Sequence, residues 1–253
     1  MESYREITLS TDRGYHIPAI SWIEEDDREI LICVRGFGGG RFSSVVEWIA
    51  QAVKPYGIGT FSFTWPAHGD SVASGDMLTV PNCLGDLEDV VNYLKKEYPG
   101  RILSCFATSF GGYMTVVFHQ KYPEVFRKII LRSPAVCMAE VIMSFMSEEQ
   151  RKAYFAGEKL NFGFGDNPLV LGKNYYESLL EYPVAQMKVK RPEKFTIIQG
   201  DADEIVPPSN VREFAEKNGI PVLWAARADH QYTNPGGIQT VLAYTTQVMG
   251  ESK

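Results

Sequence analysis

Apolar positions in this chain follow two rhythms that take turns. Runs such as Ile30-Leu31-Ile32-Cys33-Val34 and Ile102-Leu103-Ser104-Cys105-Phe106 are nearly unbroken, as expected of strands buried on both faces. Between them lie stretches with helical spacing. From Ser44 to Val53, for instance, Val45, Trp48, Ile49 and Ala52 share one face. The pattern predicts strands over 5–10 and 15–23 about the turn Asp12-Arg13-Gly14, then over 30–35, 59–64, 101–107, 127–132, 194–200 and 221–226. Helices are expected over 44–53, 82–97, 110–122, 208–218 and 236–249. Such alternation means parallel strands with helices on both faces. The class is therefore α/β, with a mostly parallel, doubly wound sheet and an N-terminal antiparallel hairpin at its edge.

One junction carries chemistry. Phe106-Ala107-Thr108-Ser109-Phe110-Gly111-Gly112 sits between an apolar strand and an apolar helix. A serine on such a sharp turn is lifted above the sheet end, with helix N–H groups behind it. The usual spacing is Gly-x-Ser-x-Gly; Gly111 supplies the second glycine, and Ala107 is the smallest departure at the first. Two polar clusters follow, each just past a strand's C-terminal end, where open α/β sheets bind their ligands. They are Asp201-Ala202-Asp203-Glu204 and Arg227-Ala228-Asp229-His230.

Of the four histidines, His119 is ten residues along the same helix as Ser109, about 15 Å away at 1.5 Å per residue. His16 belongs to the N-terminal strands, and His68 lies in a loop expected to shape the site. His230 remains as the general base. The acid that orients it is left among Asp201, Asp203, Glu204 and Asp229. After strand 30–35, Arg35-Gly36-Phe37-Gly38-Gly39-Gly40-Arg41 offers a loop in which backbone amides can approach a substrate oxygen. The N–H groups of Phe37 and Phe110 are the expected oxyanion donors. Neither phosphate-loop spacing is present here.

The alternation pauses from about Ala139 to Tyr182. A helix is expected over 141–155, and the stretch is rich in rings: Phe145, Tyr154, Phe155, Phe162, Phe164, Tyr175 and Tyr176. Within a single domain spanning 1–253, residues 139–182 are expected to form an inserted lid over the serine. Phe145, Phe162 and Tyr175 are candidate walls of an apolar acyl pocket, while about half of these rings should simply pack the lid onto the body.

With 253 residues and 45% apolar content, the chain can build one substantial core. A net charge of −6 argues against nucleic acid and anionic membranes as partners. No stretch approaches the ~20 apolar residues of a bilayer span, and the N-terminus has no signal-like segment. Cys33 and Cys105 lie inside apolar strands and Cys83 and Cys137 are isolated, which predicts neither disulfides nor metal and a cytoplasmic setting. No cofactor is expected. The expected partner is a small-molecule ester, and a homodimer is left open.

These pieces together resemble the α/β-hydrolase fold, and more narrowly the lid-bearing serine esterases related to bacterial cinnamoyl and feruloyl esterases. The matching segments are Gly36-Phe37, His68-Gly69-Asp70-Ser71, the Ser109 turn, Gly200 to Pro207, and Ala228-Asp229-His230, with Leu171 to Tyr176 where that family has its inserted subdomain. The resemblance implies Ser109 as nucleophile, His230 as base, Asp203 as acid, and the Phe37 and Phe110 amides as oxyanion donors. It also implies hydrolysis of carboxylic esters of small aromatic or medium-chain acyl groups. A peptidase or thioesterase on the same site, or a binding protein that has lost turnover, are the alternatives. Arg35 stands where the family has histidine, and Ala107 where it has glycine. Arg35 is expected to be a buried cation paired with an acid; alternatively Arg35 or Arg41 meets a substrate carboxylate.

Overall fold

A computed structural model describes residues 4–163 and 168–251. Strands β1 (Arg5–Ser10), β2 (His16–Trp22), β3 (Glu29–Val34), β4 (Ile58–Phe63), β5 (Ile102–Thr108) and β6 (Ile129–Arg132) enter one sheet, joined later by β9 (Phe195–Gly200) and β10 (Val222–Ala225). The order is β1-β2-β4-β3-β5-β6-β9-β10. The pairs β1–β2 and β2–β4 are antiparallel, and the remaining neighbours are parallel. The expected hairpin at the edge of a mostly parallel sheet is therefore present, turning through Gly14 with φ of 82°.

Period-two geometry splits each central strand between two layers. Ile30, Ile32 and Val34 of β3 face one core, and Leu31 and Cys33 face the other. The first core is covered by α2 (Val80–Glu97), α3 (Phe110–Lys121) and α7 (Pro208–Asn218), the second by α1 (Ser44–Val53) and α8 (Gly237–Gly250). Continuous apolar strands follow from this, since neither face meets water. Among the described residues no helix is long and apolar enough to cross a membrane.

In α1 the buried face is Val46, Ile49, Ala50 and Val53, and Trp48 is 42% exposed. The sequence favoured the neighbouring stripe of Val45, Trp48, Ile49 and Ala52. Apolar residues occupy both stripes, so periodicity alone could not fix the helix's rotation.

Between β6 and β9 the chain forms α4 (Met138–Ser144), α5 (Glu148–Phe155), the short pair β7 (Leu160–Asn161) and β8 (Val170–Leu171), and α6 (Lys173–Leu180). The single helix expected over 141–155 is two helices. Ser147 restarts the chain with a capping box: its hydroxyl accepts from Gln150 N (3.2 Å), and Gln150 Oε1 accepts from Ser147 N (2.9 Å). Helix α6 was not anticipated; it is two turns long, with Tyr175 and Leu179 buried four residues apart. This segment is fastened to the body. Ser178 Oγ accepts from Val80 N (3.1 Å), and the Tyr113 hydroxyl donates to Tyr182 O (3.0 Å).

The hairpin is tied to α2 by a buried ion pair. Asp86, fully buried, accepts from Arg13 Nη2 (2.8 Å) and the Tyr15 hydroxyl (2.8 Å). Gly85 makes room for this, since a Cβ there would lie 2.8 Å from Arg13 Nη1. Burial pushes the Asp86 carboxyl up to about 7, against the opposing pull of Tyr15 and Arg13. Arg13→Met should destabilise the fold by about 3 kcal/mol near pH 8, the scale for stranding one buried charge. A carboxyl whose folded pKa is raised gains stability as pH falls through that pKa. The deficit should therefore shrink between pH 8 and pH 5 in urea unfolding; a constant deficit would show that Asp86 does not carry it.

Candidate active site

Ser109 stands at the junction of β5 and α3 with φ of 52° and ψ of −116°. A left-handed φ on a non-glycine residue costs about 1–3 kcal/mol and persists only where the surroundings over-determine it. Here they do. Ser109 N donates to Arg132 O (3.0 Å), and Ser109 O accepts from Tyr113 N (3.2 Å) and Ala135 N (3.1 Å). A Cβ on Gly111 would lie 2.4 Å from Val34 O and 2.6 Å from Arg35 O, so that position admits glycine alone. Ala107 is fully buried between Val34 of β3 and Leu131 of β6. The departure from glycine is thus accommodated inside the sheet.

His230 follows β10, and its Nε2 lies 3.0 Å from Ser109 Oγ. Its Nδ1 lies 2.9 Å and 3.0 Å from the two oxygens of Asp203, just past β9. Three strand ends thus deliver three side chains to one point. The four candidate acids separate cleanly. Asp201 accepts from Arg227 N (2.5 Å), Asp229 from Thr233 N (3.0 Å), and Glu204 from the backbone N–H of His230 (3.2 Å). Of these four acids, Asp203 alone meets the imidazole. It also accepts from Ile205 N (3.0 Å), Val206 N (2.8 Å) and Gln199 Nε2 (3.0 Å). Burial alone would raise the Asp203 carboxyl, but the bond and charge of His230 and the Val206 N–H outweigh it and hold it below the usual range.

Gly36 brings the loop after β3 against the serine: a Cβ there would be 3.3 Å from Ser109 Cβ. The N–H groups of Phe37 and Phe110 donate to no protein acceptor among the described residues. Behind this loop stands a wall of rings. Phe37 stacks on Tyr175 (5.8 Å between centroids), meets His68 edge-on (5.4 Å), and crosses Phe110 (6.2 Å). His68 Nδ1 lies 2.8 Å from Pro66 O. Burial pushes its pKa down to about 4, with the Pro66 carbonyl pulling the other way. The ring is therefore neutral packing. His119 is held by Lys190 O (2.8 Å) and His16 is exposed, so neither approaches Ser109.

A cavity of about 460 Å³ opens onto Ser109 and His230, with Arg35, Phe37, Arg132 and Gln231 in its walls. The three predicted aromatic walls are not part of it. Phe145 is exposed and outside the cavity, while Phe162 is buried against Tyr154 (5.9 Å). Tyr175 is fully buried and stands one ring behind Phe37, its hydroxyl without a protein partner among the described residues. Ring content showed that these side chains pack, but not which face they pack against. Phe164 lies outside the described residues.

Arg35 is also corrected. It lines the cavity, yet among the described residues no carboxylate pairs with it; its Nε donates to Gly40 O (3.1 Å). Arg41 is the arginine that is paired, with Asp70 (2.9 Å) and Glu6 (3.0 Å). Among the described residues, no cluster of three or more His, Cys, Asp or Glu side chains is arranged to hold a metal ion.

Comparison with known families agrees with this architecture. The family model for serine aminopeptidase, S33, matches residues 26–223. The chain belongs to that family. It is an α/β-hydrolase, and its general class is that of the serine hydrolases. A search of curated protein sequences finds no match. Among solved structures, Est1E from Butyrivibrio proteoclasticus with bound ferulic acid superimposes with a TM-score of 0.83 at 18% identity, over 96% of this chain and 97% of that one. The α/β-hydrolase domain-containing protein 10 from mouse gives 0.78 at 13% identity, over 97% and 98%. A monoacylglycerol lipase from Paleococcus ferrophilus gives 0.66 at 17%, over 92% and 99%. At such identities the likeness is one of fold.

Two residues of the hydrolase's site are not evident in the sequence, Arg132 and Gln199, while Glu204, a candidate acid, instead holds the His230 backbone. Arg132 ends β6, is 3% exposed, and donates from Nη2 to His230 O (3.1 Å) while lying over the Tyr232 ring (4.7 Å). A charged residue ending an apolar strand beside the serine turn was the available signal. The turn itself gives a test of packing. Gly111→Ala should lower stability by about 1–3 kcal/mol through the forced contacts with β3, whereas Ala107→Gly should cost no more than about 1 kcal/mol. Urea midpoints of the two variants would measure the contrast, and equal losses would contradict it.

Proposed function

We propose that the protein is a serine carboxylesterase in which Ser109, His230 and Asp203 work as a catalytic triad. The observation that carries this reading is the continuous bonded line from Ser109 Oγ to His230 Nε2 (3.0 Å) and from His230 Nδ1 to Asp203 (2.9 Å). His230 takes the hydroxyl proton as Ser109 attacks the ester carbonyl, and the Asp203 carboxylate stabilises the imidazolium that results. The new C–O bond leaves a negative oxygen, for which the N–H groups of Phe37 and Phe110 are the donors, each worth on the order of 10²–10³ in rate. His230 then hands its proton to the departing alcohol. Water, deprotonated by the same imidazole, attacks the acyl-enzyme and frees the acid and Ser109.

For the acyl group we propose small aromatic or medium-chain acids. The ring wall at Phe37 and the fold shared with Est1E, whose structure holds ferulic acid, support this choice. Residues 139–182 act in this reading as a cap, fastened to α2 and α3. The family description favours one rival, an aminopeptidase. Such an enzyme must receive a substrate ammonium group, but among the described residues no Asp or Glu lines the cavity and two arginines do. Like charges disfavour that ligand.

Ser109→Ala should remove fluorophosphonate labelling and lower kcat by about 10⁶, the usual consequence of deleting a serine nucleophile. Asp203→Asn should lower kcat by about 10⁴ by presenting the wrong tautomer to the serine. Assay against a panel of p-nitrophenyl esters measures both. Activity within tenfold of wild type for Ser109→Ala would end the proposal.

A further inference from the structure

Two arginines, Arg35 and Arg132, line the cavity beside Ser109, and the hydrolytic steps above use neither guanidinium. Arg132 is 3% exposed, and its Nε is buried without a hydrogen-bond partner among the described residues. Arg35 is half-buried and, among the described residues, its side chain is bonded only through Nε to Gly40 O. Its guanidinium lies over Gly39, where a Cβ would come within 3.2 Å of Nη2, so the loop has left space for it. Neither arginine forms a salt bridge among the described residues, although Arg13, Arg41, Arg127 and Arg191 all do. Desolvation of an unpaired charge is expensive, and here two like charges border one cavity.

Arg35 feels Arg132 as a like charge. Burial first, and repulsion from Arg132 with it, pull Arg35 down to about 10, opposed by Cys33. Burial likewise lowers Arg132, with Tyr232, Asp203 and Asp229 pulling the other way. A guanidinium stays protonated at neutral pH in proteins, so the cavity is cationic. Fixed, desolvated guanidinium forks match the two oxygens of a carboxylate.

We infer that Arg35 and Arg132 form an anion subsite, and that the substrate is an ester carrying a carboxylate close to its scissile carbonyl. The inference rests on the hydrolase reading for the ester, but the anion site itself stands on the two arginines and the cavity. His230 and Gln231 line the same cavity. His230 also returns the proton to the departing oxygen, so the alcohol half is the one expected to carry the charge.

The test compares acetoxyacetic acid (charge on the alcohol half) and p-nitrophenyl hydrogen glutarate (charge on the acid half) with their primary amides. The quantity read is the ratio of kcat/KM for anion over amide. In wild type the ratio should favour the anion in at least one pair, and the pair that does so identifies the charged half. Arg35→Met should collapse it about 30-fold or more, the scale for losing one partner of a buried charge pair. Arg35→Lys should restore part of the preference, and Arg41→Met should leave the ratio unchanged. A ratio near one in wild type, or a ratio that survives Arg35→Met, overturns the anion site even if esters are cleaved. If neither ester is cleaved and fluorophosphonate does not label, the hydrolase reading fails and binding decides alone. Succinate should then bind the wild-type protein by calorimetry at least tenfold more tightly than the Arg35→Met variant. Equal or absent binding overturns the subsite.

Discussion

Everything at this site depends on one residue held in a backbone conformation that its own side chain disfavours. With φ of 52°, Ser109 turns the chain from β5 into α3 within a single residue. Its Oγ is thereby presented above the sheet, where His230 reaches it. The strain is contained by neighbours that have nothing to do with proton transfer: the carbonyl of Arg132, the amides of Tyr113 and Ala135, and the close approach of Gly111 to the end of β3. A relaxed φ at Ser109 would rotate the hydroxyl away from the imidazole and misalign the first turn of α3. The Phe110 amide is part of that turn.

The parallel sheet makes the rest of the site inexpensive to assemble. Strands β5, β9 and β10 run in the same direction, so their C-terminal ends share one edge. Side chains more than ninety residues apart in the chain meet there because register, rather than loop chemistry, fixes their height. What the loops add is orientation. Asp203 is locked by the amides of Ile205 and Val206, and the His230 backbone is tied on one side to Glu204 and on the other to Arg132. An imidazole anchored in this way has little freedom to leave the bonded line.

Much of this was legible in the residue pattern, for identifiable reasons. Doubly buried strands produce unbroken apolar runs, and a small residue on either side of a serine marks a tight turn, so the sheet and Ser109 stood out. His230 followed from elimination. Asp203 could be preferred only by likeness to a family, because four acids crowd two adjacent loops and spacing does not say which carboxylate points inward. The errors share a different origin. Trp48, Phe145, Phe162 and Tyr175 are apolar or aromatic in segments where several faces are apolar, so rotation about a helix, or burial against body rather than cavity, is invisible to periodicity. The break at Ser147 was written in a capping box but masked by the apolar stretch before it. Arg132 carried only the signal of a charge ending an apolar strand, which does not tell whether the side chain turns to solvent or to a neighbour's carbonyl.

The stacking of Phe37 on Tyr175 has an evolutionary side. Tyr175 comes from the segment between β6 and β9, whereas Phe37 belongs to the glycine loop that faces the serine. That segment therefore cannot be traded between homologues as an independent cassette. Any replacement must bring a flat apolar surface to the same spot, or the glycine loop loses its backstop. Diversification of this scaffold is thereby channelled toward the rim of the segment, leaving its inner ring under the same constraint as the core.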